Sequence, residues 1–390
     1  MKRIVFLSFI ISMMLIGCKE EPIGQQPVND TPPGPITDIK VENIPGGAIL
    51  TYKLPNDEDL LCAKAFYSLK EGVTSEVTSS LYTDSLVIVG FGDMSPREVK
   101  VVAVDRSQNL SSPAYVTVTP LEPPVLSIGN SLRIVPDFGG IQAFWENPTR
   151  HNITIVILRE DHNGEYVPID AYYSSQREGN QTTRGLDTLE YNFGFFAQDR
   201  WENKSPVKYE KLTPFFETAL DKKKFRAVTL PNDEPTAWGW VLQNLWDDVI
   251  SDGNGFHTDN NSQNWPQAIT FDLGVTARLS RIRVFQRQGE WIYQHGNPRR
   301  FEVWGSPEFE PTGSWDRWTK LMDCESIKPS GLPLGQFDSE DREWAGVGEE
   351  FICSPENPPI RYIRLRILQT WSGGSFFHIS ELDVFGDDRF

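Results

Sequence analysis

Histidine is scarce in this sequence, five residues in 390. None of the five stands at a His-Glu-x-x-His or zinc-finger spacing, which excludes those metalloprotease and structural-zinc designs. No Gly-x-x-x-x-Gly-Lys-Ser/Thr loop and no Gly-x-Ser-x-Gly turn occurs, so no organic cofactor and no elbow-mounted serine nucleophile is expected. Positive charge is short as well: 37 Lys and Arg against 54 Asp and Glu leave a net charge of −17. Nucleic-acid backbones need clustered cations, so nucleic acid is excluded as a partner. Glycoside hydrolysis needs two carboxylates flanking a cleft, and among so many acidic residues no pair stands out, so the chain is expected not to be an enzyme. Cysteine is also rare, four in all. Of the three after Cys18, Cys324 and Cys353 are candidates for pairing in an oxidising compartment, leaving Cys62 as a buried thiol.

What is present begins with "MKRIVFLSFIISMMLIGCKEE". Lys2 and Arg3 precede an apolar run from Ile4 to Ile16, too short to cross a bilayer and followed by a small residue, the pattern of a signal peptide over residues 1–17. Leu15-Ile16-Gly17-Cys18 resembles a bacterial lipobox, which implies cleavage before Cys18 and its acylation, hence a membrane anchor. Lys19-Glu20-Glu21 is similar to the short acidic tag that directs some lipoproteins to the outer face of the outer membrane. Residues 18–34 are rich in Pro and without apolar periodicity, a tether rather than a domain.

Beyond the tether the chain alternates with the period of strands, as at Ile153, Ile155 and Ile157 or Tyr191, Phe193 and Phe195. Two phrases recur about one small sandwich apart. "GGAILTYKLPN" from Gly46 returns as "GGIQAFWENPT" from Gly139, and Asp-Arg-x-x-Asn-x-Ser at Asp105 returns at Asp199. Each copy resembles a fibronectin type III or related immunoglobulin-like module, placed at 35–120 and 121–214. In such modules the second phrase is a turn, and Asp105 and Asn109 read as turn-closing groups in preference to ion ligands. A charged linker is expected at 215–232, then one short helix between Trp238 and Trp246. Strand-like runs come next, the clearest being "RYIRLRI", where Ile363, Leu365 and Ile367 should point inward and Tyr362, Arg364 and Arg366 outward.

Over residues 233–390, "LWDD", "FHT", "PQAITFDLG", "RLSRIRVFQRQ", "FEVWGS" and "RYIRLRI...HISELDVFG" occur in the order seen in discoidin, or coagulation factor 5/8 C-type, domains. The chain is thus expected to be all-β, two fibronectin-like sandwiches followed by a jelly-roll-like one. Many bacterial members of the discoidin family bind carbohydrate. In its galactose-type modules a His in a loop and an Arg near the end of a following strand hydrogen-bond the sugar, which here implies His257 and Arg287. Both side chains suit sugar hydroxyls, since guanidinium is a planar fork of donors and neutral imidazole offers one donor and one acceptor. The plain alternative has His257 closing a turn and Arg287 pairing with a carboxylate. The family's stacking Trp, three residues beyond the His, is Asn260 here, so stacking would fall to Trp291, Tyr293, Trp371, Phe376 or Phe377, or these simply pack their own loops. The resemblance further implies a structural Ca²⁺ held by Asp247 and Glu381, and Asp248 where the family often has Gly leaves open whether the site is intact, altered or empty.

The layout resembles the accessory lipoproteins of starch-utilisation-type glycan uptake systems. It implies a lipid-anchored outer-membrane protein facing outward that captures glycan beside a transporter. The rival reading is an adhesion or interaction lipoprotein that docks an outer-membrane partner and has no sugar site.

Overall fold

The computed structural model describes residues 30–262 and 264–390. The signal peptide, Cys18 and the tether up to residue 29 lie outside the described residues. The described chain folds as three antiparallel β-sandwiches in series.

In the first, Thr37–Ile44, Gly47–Lys53 and Ser85–Val89 form one sheet, and Val73–Ser80, Leu60–Lys70, Arg97–Asp105 and Ala114–Val118 form the other. The second repeats this three-plus-four arrangement, with Arg133–Asp137, Gly140–Glu146 and Glu178–Arg184 facing Tyr166–Ser174, Ile153–Glu160, Tyr191–Asp199 and Lys208–Leu212. This is the strand order of a fibronectin type III sandwich. The alternation explains it: Ile155, Ile157, Phe193 and Phe195 all turn inward and are buried. Each such side chain contributes roughly 1.5–3 kcal/mol by leaving water. The recurring Asp closes the turn after the sixth strand in both copies. Asp105 accepts from the Asn109 backbone N–H at 2.8 Å and its side-chain amide at 2.9 Å, and Asp199 does the same with Asn203. In the second copy Asn203 also donates to the Gly90 carbonyl at 3.0 Å, tying the second sandwich to the first.

The third sandwich is built on one long strand, Gln267–Phe285, that serves both sheets. Its first half pairs with Ile360–Thr370 and with the edge strand Arg226–Val228. Its second half pairs with Glu381–Asp387 and Glu349–Ile352. Pro298–Ser306 and Thr319–Glu325 extend the first sheet, and Thr218–Ala219 adds to the second. The pairing register breaks between Asp272 and Ala277. There Gly274 takes φ +71°, and a Cβ on it would come within 2.4 Å of the Lys224 carbonyl oxygen. Only glycine tolerates both conditions, and the kink lets one strand change sheets.

Four expectations are corrected here. The segment 215–232 is not a linker: it carries two strands of the third sandwich and buries Leu220, Phe225 and Leu230. Its Lys run had masked those three apolar positions. The helix expected from Trp238 is a short 3-10 segment, Leu242–Trp246, whose buried Leu242 and Leu245 are three apart. Ile363, Leu365 and Ile367 do face the core, but Arg364 is fully buried on the opposite face. It lies 3.9 Å from the Trp315 ring and 3.1 Å from Asp233, because loops cover that face as well. Cys324 and Cys353 share the third core as unbonded thiols. Burial raises both, Cys353 to about 12.

Candidate functional site

At one end of the third sandwich the loops bring together Trp240, His257, Arg287, Trp291, His295, Phe376 and His378. His257 sits on a two-residue strand, Phe256–His257, that pairs with His378–Ile379, so the two imidazoles are cross-strand partners 5.2 Å apart. Thr258 locks this pair: its backbone N–H donates to the Phe377 carbonyl at 3.0 Å, and its hydroxyl accepts from the Phe377 N–H at 2.9 Å. Asn297, fully buried, holds the opposite wall. Its side chain accepts from the Arg287 N–H at 2.9 Å and donates to the Trp291 carbonyl at 2.6 Å, while its own carbonyl accepts from the Trp371 N–H. The loop between these anchors carries two non-glycine residues in the left-handed region, Tyr293 at φ +49° and His295 at φ +56°. Such backbone costs energy and is held only where the surroundings fix it.

The sequence pair does meet. His257 and Arg287 flank the same indole: the His257 ring is 5.5 Å from Trp240, edge to face, and the Arg287 guanidinium lies 5.1 Å from it. Arg287 also lies 4.6 Å from the Trp291 ring. Its Nε donates to the Asp252 carbonyl at 2.6 Å. Neither terminal amino group has a protein partner among the described residues, and no carboxylate pairs with it. Burial lowers the Arg287 pKa, and the guanidinium stays charged all the same. His257 Nδ1 is 2.6 Å from the Thr258 carbonyl, which can only accept, so Nδ1 carries the proton and Nε2 is left as an acceptor. Burial, with help from the Arg287 charge, lowers the His257 pKa and keeps the ring neutral. Phe376 stacks on its face, 5.3 Å away and 4° from parallel. The site thus offers a fixed cation, a neutral acceptor and aromatic rings, an arrangement fitted to bind a polar ligand with apolar faces.

The other expected residues are placed differently. Trp291 and Phe376 belong to the cluster. Tyr293 is wholly enclosed beside Ile292 and Ala345, edge to face with Trp371 at 5.4 Å, and has no surface to offer a ligand. Trp371 packs on that same small core and donates from Nε1 to Ser326 at 3.2 Å. Phe377 is likewise buried, against Phe256. Sequence reasoning missed Trp240, His295 and His378, although Trp240 and His378 stand inside segments named above and His295 lies two residues beyond Tyr293. His378 Nε2 accepts from the Gly296 N–H at 3.1 Å, and the Nδ1 atoms of His295 and His378 are buried without a partner among the described residues.

Asp247 and Glu381 are also near one another, since the Asp247 charge helps burial to raise Glu381 to about 7. Each is engaged, although Glu381 Oε2 is buried without a partner among the described residues. Asp247 accepts from both the Asn254 amide and the Val249 N–H, and Glu381 accepts from Lys222 at 2.7 Å.

A solved structure named SusE-like protein BT2857 is 34% identical to the chain, with 68% of this chain and 99% of that one covered at a TM-score of 0.46. The chain belongs to the SusE-like family. Within this SusE-like chain, three family models match: DUF4959 over residues 33–120, DUF5126 over 121–223 and DUF5000 over 246–386, each described as a domain of unknown function. The C-terminal domain of a Bacteroides fragilis chitobiase is 18% identical over 43% of this chain and 97% of its own, TM-score 0.31. A two-domain fibronectin type III segment of chicken tenascin is 14% identical over 46% and 99%, TM-score 0.23. No curated protein matches the chain.

Proposed function

We propose that this protein is a non-catalytic, lipid-anchored accessory of glycan uptake at the cell surface, and that the discoidin-like third domain captures oligosaccharide at the Trp240–Arg287–Trp291 loops. The observation that carries this reading is Arg287, a half-buried cation whose terminal amino groups have no protein partner among the described residues while its guanidinium lies over two indoles. Sugars present hydroxyls in a plane and C–H groups on a face; a forked donor reads the first and indoles cover the second. His257 Nε2 supplies the acceptor. Kinship with a SusE-like protein supports the setting, and Cys18 would provide the anchor. A shallow site of this kind binds modestly, and many copies on one membrane raise its effect by avidity.

The rival reading, docking to an outer-membrane partner, draws on helix Ser339–Val347, where Trp344 and Val347 are three apart and 52% and 59% exposed. Calorimetric titration of the full chain with galactose-, fucose-, glucosamine- and uronate-containing oligosaccharides separates the two. Binding that falls at least about tenfold in Arg287→Ala and Trp240→Ala, about 1.4 kcal/mol each, supports capture at these loops. No heat from any sugar, with the protein folded, rejects it in favour of a protein partner.

A further inference from the structure

The third sandwich holds three carboxylates, those of Asp248, Glu381 and Asp383, with oxygens all within 4.8 Å of one another. Glu381 is 1% exposed. Three like charges so placed repel strongly unless a cation stands among them. The Lys222 ammonium does. Its Nζ is 2.7 Å from Asp248, 2.7 Å from Glu381 and 2.6 Å from Asp383. The ammonium donates hydrogen bonds to Asp248 and Glu381 and forms an ion pair with Asp383.

Lys222 is delivered by structure and not by a wandering side chain. Two residues before it, the Leu220 N–H donates to the Val384 carbonyl at 2.9 Å, and Thr218–Ala219 pairs with Phe385–Gly386 on the strand that carries Glu381 and Asp383. Asp221 then caps the turn Lys222–Lys224 by accepting from the Lys223 N–H. A Ca²⁺ ion needs six to eight oxygens at 2.3–2.6 Å. Lys222 takes one oxygen from each of three of the nearest carboxylates, and Asn254 takes both oxygens of Asp247.

We infer that Lys222 is the resident cation of the third domain, standing where the discoidin resemblance places Ca²⁺, so that this domain folds and stays folded without metal. The segment entering the domain thereby also closes it, because the cation arrives on residue 222 and its counter-charges on residues 248, 381 and 383.

The test uses the full chain. Of its twelve Trp only Trp145 and Trp201 precede residue 238, so Trp fluorescence reports the third domain. Wild type, stripped with EDTA, is titrated with CaCl₂ by calorimetry and melted in EDTA and in 5 mM CaCl₂, beside Lys222→Met and Lys222→Arg. The expected result is no stoichiometric Ca²⁺ binding and a melting point that moves less than about 2 °C for wild type. Lys222→Met should melt several degrees lower in EDTA and recover part of the loss in CaCl₂, whereas Lys222→Arg should remain indifferent to Ca²⁺. One-to-one Ca²⁺ binding by wild type, or a Lys222→Met protein as stable in EDTA as wild type, overturns the inference. Should Lys222→Met fold in neither condition, the wild-type titration decides.

Discussion

Arg287 shows how a residue declares a site. Among the described residues its guanidinium has a single backbone carbonyl, for Nε, and lies against two indole faces. Around it His257, His295 and His378 are all held below the ordinary imidazole pKa, first by burial and then by neighbouring positive charge. The consequence for stability has a definite sign. Above about pH 6.5 the three are neutral folded and unfolded alike, and as pH falls the unfolded chain takes up protons that the folded chain refuses, so stability declines. Glu381, raised to about 7, takes up a proton in the folded chain over the same range and opposes this loss, so the imidazole contribution is read as the difference between wild type and His378→Gln, melted by Trp fluorescence from pH 7.5 to 5, with wild type losing more stability below about pH 6.5. His378→Gln should flatten that slope; an unchanged slope would place the titrating groups elsewhere. At this scale the sequence was half readable. His257 and Arg287 could be named because the discoidin resemblance pairs a loop His with an Arg of a following strand. Trp240, His295 and His378 could not, because nothing local says that residues 240, 295 and 378 meet. Tyr293 and Trp371 misled for a related reason: an aromatic in a loop reads the same whether it faces a ligand or plugs a small core.

Among the elements, edge strands carry more weight than their length implies. Thr218–Ala219 and Arg226–Val228 together make five residues of strand, yet they bring Leu220 and Phe225 into the third core and Lys222 to its carboxylates. Deleting everything before residue 233 should therefore leave a third domain that melts at markedly lower temperature or fails to fold, since each lost buried side chain costs about 2–5 kcal/mol. A chain beginning at residue 216 should melt like the full-length protein. Equal melting of the two would show that the segment is the linker its charge suggests. Alternation read the inward faces of strands well, as at Ile363, Leu365 and Ile367. It failed at Arg364 because the rule assumes one wet face, and the covering loops make both faces dry there. The kink at Gly274 was hidden too, since a glycine in a strand-like run does not tell which backbone it must admit.

Over the whole molecule, the all-β architecture was legible because repetition survives where local signals are weak. Gly46 and Gly139 hold φ of +65° and +61° at the same point of two equivalent sandwiches, and Asp105 and Asp199 close equivalent turns. The joints were not legible. Between the second and third sandwiches, Glu217 accepts from Arg184 on one side and from Ser280 and Arg281 on the other, a set of residues with no common motif. The central claim, that the Trp240–Arg287–Trp291 loops take oligosaccharide, is tested most directly by ¹H–¹⁵N NMR of the indole groups during titration with the tightest-binding oligosaccharide. The account predicts that the Trp240 and Trp291 signals move in step with binding while Trp304, Trp315 and Trp318, on the far face of the sheet, stay fixed. Binding that shifts those three and leaves Trp240 and Trp291 unmoved would contradict it.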